Sequence, residues 1–354
     1  MQSSKKKLEK ERLERLKDFL NGKNVGPFTL DIKPTNRCNL DCIFCPTKVE
    51  YEKLDKKELT DEQYIYLIEQ AAKLNIREVY ISGGGEPLIR KELLIKLMKM
   101  IKRNRMRGIL ITNGTLFGKE DIKNIVEVGW DDIFFSIDGT TSNTNDYLRA
   151  KKGAFKEAVN SLTLFKKTKK LLGKEKPILH ISTVLVNKNY KELPDLIELL
   201  KEYDIESLFL QKFIPWSEES SNLKLNSKQN KELLIYFDKA KILSQKYNIA
   251  TNIIDFENVH FKKIDNNENK ESFCTMPFLY FCIRVDGVIQ PCMSKSDFIV
   301  GDVTKNTIKE IWFGRNMTGF RKSLLNGKEY NFCKNCCAKT TNRELENFRN
   351  KKNG

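Results

Sequence analysis

Histidine is scarce: His180 and His260 are the only two, neither lies in a motif, and both are read as structural rather than catalytic. No apolar run approaches the ~20 residues that cross a bilayer, and the opening MQSSKKKLEKERLERLKDF lacks the apolar core of a secretory signal. A cytoplasmic protein without a membrane partner is expected. No recognised nucleic-acid module accompanies the net charge of +16; the lysines recur among glutamates along candidate helices, as on solvated faces. Nucleic acid is therefore not an expected partner, whereas an acidic electron donor suits the charge. Cysteine is absent between Cys45 and Cys274, and the 9 thiols fall in two groups, at 38–45 and 274–337. In a reducing cytosol, such tight groups read as metal or cluster ligands and not as a disulfide framework.

With 354 residues, 40% of them hydrophobic, the chain can bury one large core plus a smaller appended domain. Within an N-terminal extension at 1–27, Leu13, Leu16 and Leu20 have the spacing of a surface helix. From Phe28 onward, short β-rich runs alternate with longer amphipathic ones. Strands are predicted at 28–32, 77–82, 108–112, 132–137, 178–186 and 206–211, and helices at 61–74, 90–103, 119–128, 153–171 and 190–203. Thr60 and Gln63 form a capping-box pattern ahead of an apolar stripe at Ile65, Ile68 and Ala72. Six strand–helix units connected right-handedly give an α/β fold, a partial (β/α)6 TIM-like barrel over 28–212, with functional loops at the strands' carboxyl ends. The polar stretch 213–273, with a helix near 228–246, reads as a bridge; 274–340 as a small second domain; and 341–354 as a tail.

Directly after the first predicted strand, TNRCNLDCIFC sets Cys38, Cys42 and Cys45 in C-x3-C-x2-C spacing. A four-iron cubane held by three thiolates keeps one iron open to an exogenous molecule, whereas structural zinc normally takes four closed ligands. The pattern, with Phe44 as the aromatic before the last thiol, resembles the defining motif of the radical S-adenosylmethionine (SAM) superfamily. That resemblance implies that SAM chelates the open iron of a 4Fe-4S cluster and is reductively cleaved to a 5′-deoxyadenosyl radical. It extends along the chain to about residue 212. Ser82-Gly83-Gly84-Gly85-Glu86-Pro87 is similar to the family's GGEP element, which implies that Gly84, Gly85, Glu86 and Pro87 hold the amino end of SAM. Asn113 ends the third strand, and Ser136 and Asp138 follow on the fourth. The resemblance assigns Ser136 and Asp138 to ribose hydroxyls and places Arg149 where the family sets a cation for the SAM carboxylate.

In the second group, Cys274, Gly287, Cys292 and the C-x2-C pair Cys333 and Cys336 resemble the front part of the SPASM auxiliary-cluster domain. The full pattern continues with further cysteines; here only Cys337 follows, with Asn342 where the next would stand. One auxiliary 4Fe-4S cluster, in a shortened or twitch form, is therefore expected on Cys274, Cys292, Cys333 and Cys336. Cys337 is the alternative to Cys336, and zinc the alternative to iron–sulfur. Cys282, in an apolar run, reads as a buried core thiol.

The resemblance implies an oxidoreductase supplied by flavodoxin or ferredoxin. It would oxidise a sugar- or aminocyclitol-like alcohol, as the inosamine dehydrogenases of aminoglycoside biosynthesis do, with the auxiliary cluster accepting the second electron. The alternative is maturation of a ribosomally made peptide, for which the 27 residues ahead of the first strand are too few to form a leader-binding domain. A non-catalytic zinc module is the reading from another class. Gln211 and Lys212 end the sixth strand, where a substrate would lie.

Overall fold

The structure, a computed structural model, describes residues 2–46, 58–215, 217–261, 274–292, 298–328 and 330–333. Six strands follow the predicted ones closely: β1 Thr29–Ile32, β2 Glu78–Ile81, β3 Arg107–Thr112, β4 Asp132–Ser136, β5 Ile178–Leu185 and β6 Ser207–Lys212. They lie side by side in chain order, all parallel, with a helix after each of β2–β5. Two additions were not legible in the sequence. Ala250–Thr251, inside the stretch read as a bridge, forms β7, parallel to β6. Tyr280–Ile283, read as the start of a separate domain, forms β8, parallel to β1, with Cys282 opposite Asp31. The hairpin then turns at Gly287, whose φ of +83° favours glycine, into antiparallel β9 Val288–Gln290, beside β10 Gly301–Asp302. Among the described residues one ten-stranded sheet results, in the order β10-β9-β8-β1-β2-β3-β4-β5-β6-β7.

Alternation along the strands separates two faces. Leu30, Ile32, Val79, Ile81, Leu110, Ile133, Phe135, Ile181 and Leu208 enter one core with the flanking helices. The opposite, inner face carries Asp31, Tyr80, Phe134, Ser136, His180, Ser182, Phe209 and Gln211, as the parallel register requires. The 61–73 helix has the expected capping box, Gln63 N donating to Thr60 Oγ1 and Thr60 N to Gln63 Oε1. Its buried side is Tyr64, Leu67, Ile68 and Ala71, rotated from the Ile65–Ile68–Ala72 stripe because the tyrosine fills the core.

The N-terminal helix Gln2–Leu20 is anchored through Leu16 and Phe19, and Leu20 is exposed. Phe19 meets Phe278 and Trp312 edge-on, with centroids 5.3 and 6.2 Å away. Arg12 from this helix pairs with Glu78, at the amino end of β2. The 308–313 helix docks on the core where Ile308 N donates to Gln70 Oε1 at 2.7 Å. No helix is long and apolar enough to cross a membrane, among the described residues.

Candidate active site

The loop after β1 is fixed before it reaches its first thiol. Tyr64 donates its hydroxyl to Lys33 O and Arg90 its Nη1 to Pro34 O, both at 2.7 Å. Glu58 Oε1 accepts from Thr35 Oγ1 at 2.6 Å and from Asn36 N at 2.9 Å. Against this loop runs the glycine turn that ends β2: Gly85 N donates to Thr35 O at 2.8 Å and Glu86 N to Arg37 O at 2.9 Å. A Cβ on Gly85 would stand 2.0 Å from Arg37 O, so glycine is what lets the two loops touch.

Of the three thiols, Cys38 is exposed, Cys45 half-buried and Cys42 buried. Leu40, Cys42 and Phe44 pack with Leu148, Val186 and Leu223. N–H groups point at the sulfurs: Leu40 N at 3.4 Å and Asn113 Nδ2 at 3.9 Å from Cys38 Sγ, and Arg149 Nη1 at 3.7 Å from Cys42 Sγ. Burial pushes the Cys38 and Cys42 thiols up, so as free thiols they keep their protons. The thiolate that these donors suit belongs to a metal-bound state.

A cubane asks for one thiolate per iron corner, and donors aimed at sulfur suit its ligands. The chemistry of this loop therefore fits a four-iron cluster.

Glu86 is 2% exposed and caps the Pro87–Arg90 turn. Its carboxylate accepts from Leu88 N at 3.1 Å, Thr112 Oγ1 at 2.7 Å and Asn113 N at 2.7 Å. Burial pushes this carboxyl up, against the opposing effect of its three donors. Three of about four acceptor positions are thus taken by protein, so Glu86 ties the end of β2 to the end of β3. Asn113 in turn donates Nδ2 to Asn39 Oδ1 at 3.0 Å.

Ser136 ends β4, half-buried on the inner face beside Ser182. Asp138 lies beyond the strand and is 0% exposed; its Oδ1 accepts from Val184 N at 2.7 Å and its carboxylate pairs with Arg149. The two side chains assigned to the ribose and to the carboxylate of SAM thus meet each other. The Arg149 guanidinium also lies 5.7 Å from the centroid of the Phe44 ring. Around the ends of β1–β4 the fold has gathered Cys38, Cys42, Cys45, Phe44, Gly84, Gly85, Glu86, Pro87, Asn113, Asp138 and Arg149.

Residues 32–205 match the radical SAM superfamily and residues 274–337 match the SPASM iron–sulfur cluster-binding domain. The chain belongs to the radical SAM superfamily. Its core accordingly binds a 4Fe-4S cluster and SAM, and its SPASM domain binds auxiliary iron–sulfur chemistry. One similar protein is a cofactor-modifying protein for the tungsten-containing aldehyde ferredoxin oxidoreductase of Pyrococcus furiosus, 24% identical over 82% of this chain and 82% of its own. Another is the sporulation killing factor maturation protein SkfB of Bacillus subtilis, 26% identical over 80% of this chain and 64% of its own. Among solved structures, Streptococcus suis SuiB bound to SAM shares the fold, with a TM-score of 0.66 at 17% identity over 90% of this chain and 74% of that one.

In the SPASM region of this radical SAM enzyme, Cys274, Cys292 and Cys333 are half-buried. Cys336 and Cys337 lie outside the described residues. Cys282 is buried on β8 as expected, but not in purely apolar company: its Sγ lies 3.7 Å from Asp31 Oδ2, while Asp31 Oδ1 accepts from Ser82 Oγ at 2.7 Å. Burial pushes the Cys282 thiol up to about 12 and raises the Asp31 carboxyl. Asp31 belongs to no motif; a carboxylate inside the apolar run FTLDI is the one local sign of a polar inner face. Glu58 and Arg90, which hold the cluster loop, carry no motif at all. Each histidine has side-chain partners: His180 bridges Ser207 Oγ at 2.7 Å and Asp132 Oδ1 at 3.0 Å, and His260 meets Asn230 Oδ1 at 2.8 Å.

Proposed function

We propose that this radical SAM enzyme matures a peptide, modifying a side chain or backbone carbon by radical chemistry. The observation that carries the reading is the likeness to SkfB over 80% of the chain. The fold of SuiB, which has also been captured with its precursor peptide SuiA, agrees with it. The inner face is compatible too. Phe209 and Gln211 on β6 are exposed, and β7 beyond them is two residues long, which leaves a flank open to an extended chain.

Bound SAM, cleaved reductively, supplies a 5′-deoxyadenosyl radical that takes a hydrogen atom from substrate. Toward it, Cys38, Cys42 and Cys45 hold the cluster, and the turn Gly84-Gly85-Glu86-Pro87 receives the amino end of SAM. Asn113 and Ser136 lie along the same edge for its nucleoside. Cys274, Cys292, Cys333 and Cys336 would hold one auxiliary cluster, which would offer an acceptor for the electron that a substrate radical gives up on losing a proton. Flavodoxin or ferredoxin supplies the electron that starts each turnover. Oxidation of a sugar- or aminocyclitol-like alcohol is the second reading, since a carbon radical beside oxygen can lose a proton and an electron in the same way.

The test uses reconstituted enzyme, reductant and SAM with a perdeuterated peptide encoded beside the gene. Deuterium in 5′-deoxyadenosine together with a mass change in the peptide is the expected result. Deuterium arriving from a labelled aminocyclitol, with none from peptide, would establish the second reading.

A further inference from the structure

Arg149 is the most enclosed cation at the cluster end. It is 7% exposed, at the last position of the Ser142–Arg149 helix. One arm of its fork pairs with Asp138, the other donates Nη1 to Cys42 Sγ at 3.7 Å, and Phe44 lies 5.7 Å away. Asp138 is itself fixed: besides Val184 N on its Oδ1, its own N donates to Asn145 Oδ1 at 2.9 Å and its O accepts from Asn189 Nδ2 at 2.9 Å. The cluster loop is sewn to the same helix, with Asp41 N donating to Arg149 O at 3.3 Å and Ile43 N to Leu148 O at 3.1 Å. Cys42 and the guanidinium are therefore held in one unit, braced from β5.

We propose that Arg149 is a positioning residue for the first cluster, holding the Cys42 thiolate and easing addition of an electron to the iron group it ligates, while Asp138 keeps the guanidinium in place. The physical reason is that reduction adds negative charge where water is excluded, and a fixed cation with an N–H aimed at a ligand sulfur favours the reduced form. The proposal rests on the radical SAM assignment and differs from the resemblance-based role, a grip on the SAM carboxylate.

The test is an EPR-monitored redox titration of the SAM-free, iron-loaded protein in a Cys274→Ala/Cys292→Ala background, so that the first cluster alone is read. Iron content and SAM affinity are measured on the same samples. Arg149→Gln should lower the reduced-to-oxidised ratio at a fixed poise about tenfold, the scale of losing a charge-assisted hydrogen bond. For one electron that is about 59 mV toward more negative potential. Arg149→Lys should fall between, because an ammonium keeps the charge but cannot serve Asp138 and Cys42 with one planar fork. An unchanged midpoint in Arg149→Gln with iron bound overturns the proposal, and weakened SAM binding at that unchanged midpoint assigns Arg149 to the SAM carboxylate instead. Should Arg149→Gln not take up iron, Arg149→Lys decides alone, an unchanged midpoint there being fatal. A parent that takes up no cluster would instead count against the radical SAM assignment.

Discussion

At the amino ends of the strands, buried carboxylates meet basic side chains far from the thiols; at the carboxyl ends, they meet groups that also serve a thiol loop. Glu78, 0% exposed, takes Arg12 and Arg107, and Asp132 takes Arg107 at 2.8 Å and His180 at 3.0 Å. Asp131 is met by Lys102 and Lys176. At the other end Glu86 is held by a hydroxyl and two backbone N–H groups, and Asp138 shares its one cation with Cys42. The consequence shows in their protonation. Burial pushes Asp132 up but His180 and Arg107 outweigh it, leaving the carboxyl below its usual value, whereas Glu86 and Asp138 are raised. The amino end is arranged for stability and the carboxyl end for chemistry, the division expected of parallel strand–helix folds.

The largest expected effect separates the two ends outright. Cys42→Ala should remove 5′-deoxyadenosine formation entirely while leaving the denaturant midpoint of the metal-free protein nearly unchanged; equal loss of both would erase the distinction. Glu78→Gln should do the reverse, costing about 3 kcal/mol in chemical denaturation. That is the low end for breaking a buried pair, because Arg12 and Arg107 stay partly hydrated. Its SAM cleavage per folded, cluster-loaded molecule should stay at the parent's level.

Gly85→Ala sharpens the comparison from the side of shape. The added methyl meets Arg37 O at 2.0 Å, so the two loops must part, and SAM affinity should drop at least tenfold in a binding titration. Within the SPASM region, Cys292→Ala should spare SAM cleavage but lose product; normal product would remove the electron-acceptor role.

The smallest effect is in pH. Because Asp132 is depressed in the folded state, its contribution to stability is complete above the unfolded value of about 3.9 and is lost as pH falls through the lower folded value. The parent should therefore lose stability below about pH 4 more steeply than Asp132→Asn does, measured by denaturation across that range. Matching slopes would mean that the His180–Asp132–Arg107 group is not a source of acid sensitivity.

Much of this contrast was legible locally. The six strands and the thiol loop announce themselves through alternation and close cysteine spacing, both properties of neighbouring residues. What the sequence concealed depends on distant partners. Ala250–Thr251 is too short to show a period, and nothing near Tyr280 says that this strand will pair with Thr29. Asp138 and Arg149 are separately recognisable as ligand-like, but their pairing arises only when a helix end folds over the cluster loop. Arg12 looks like one charge among many in the N-terminal helix, and its partner Glu78 lies 66 positions away.

The central claim is that the Cys38–Cys42–Cys45 loop carries a cluster with one iron open to SAM. EPR of the reduced Cys274→Ala/Cys292→Ala protein, recorded with and without SAM, tests it most directly. A spectrum that shifts on SAM addition, followed by 5′-deoxyadenosine, is the expected result; a cluster signal indifferent to SAM, with no nucleoside released, would contradict it.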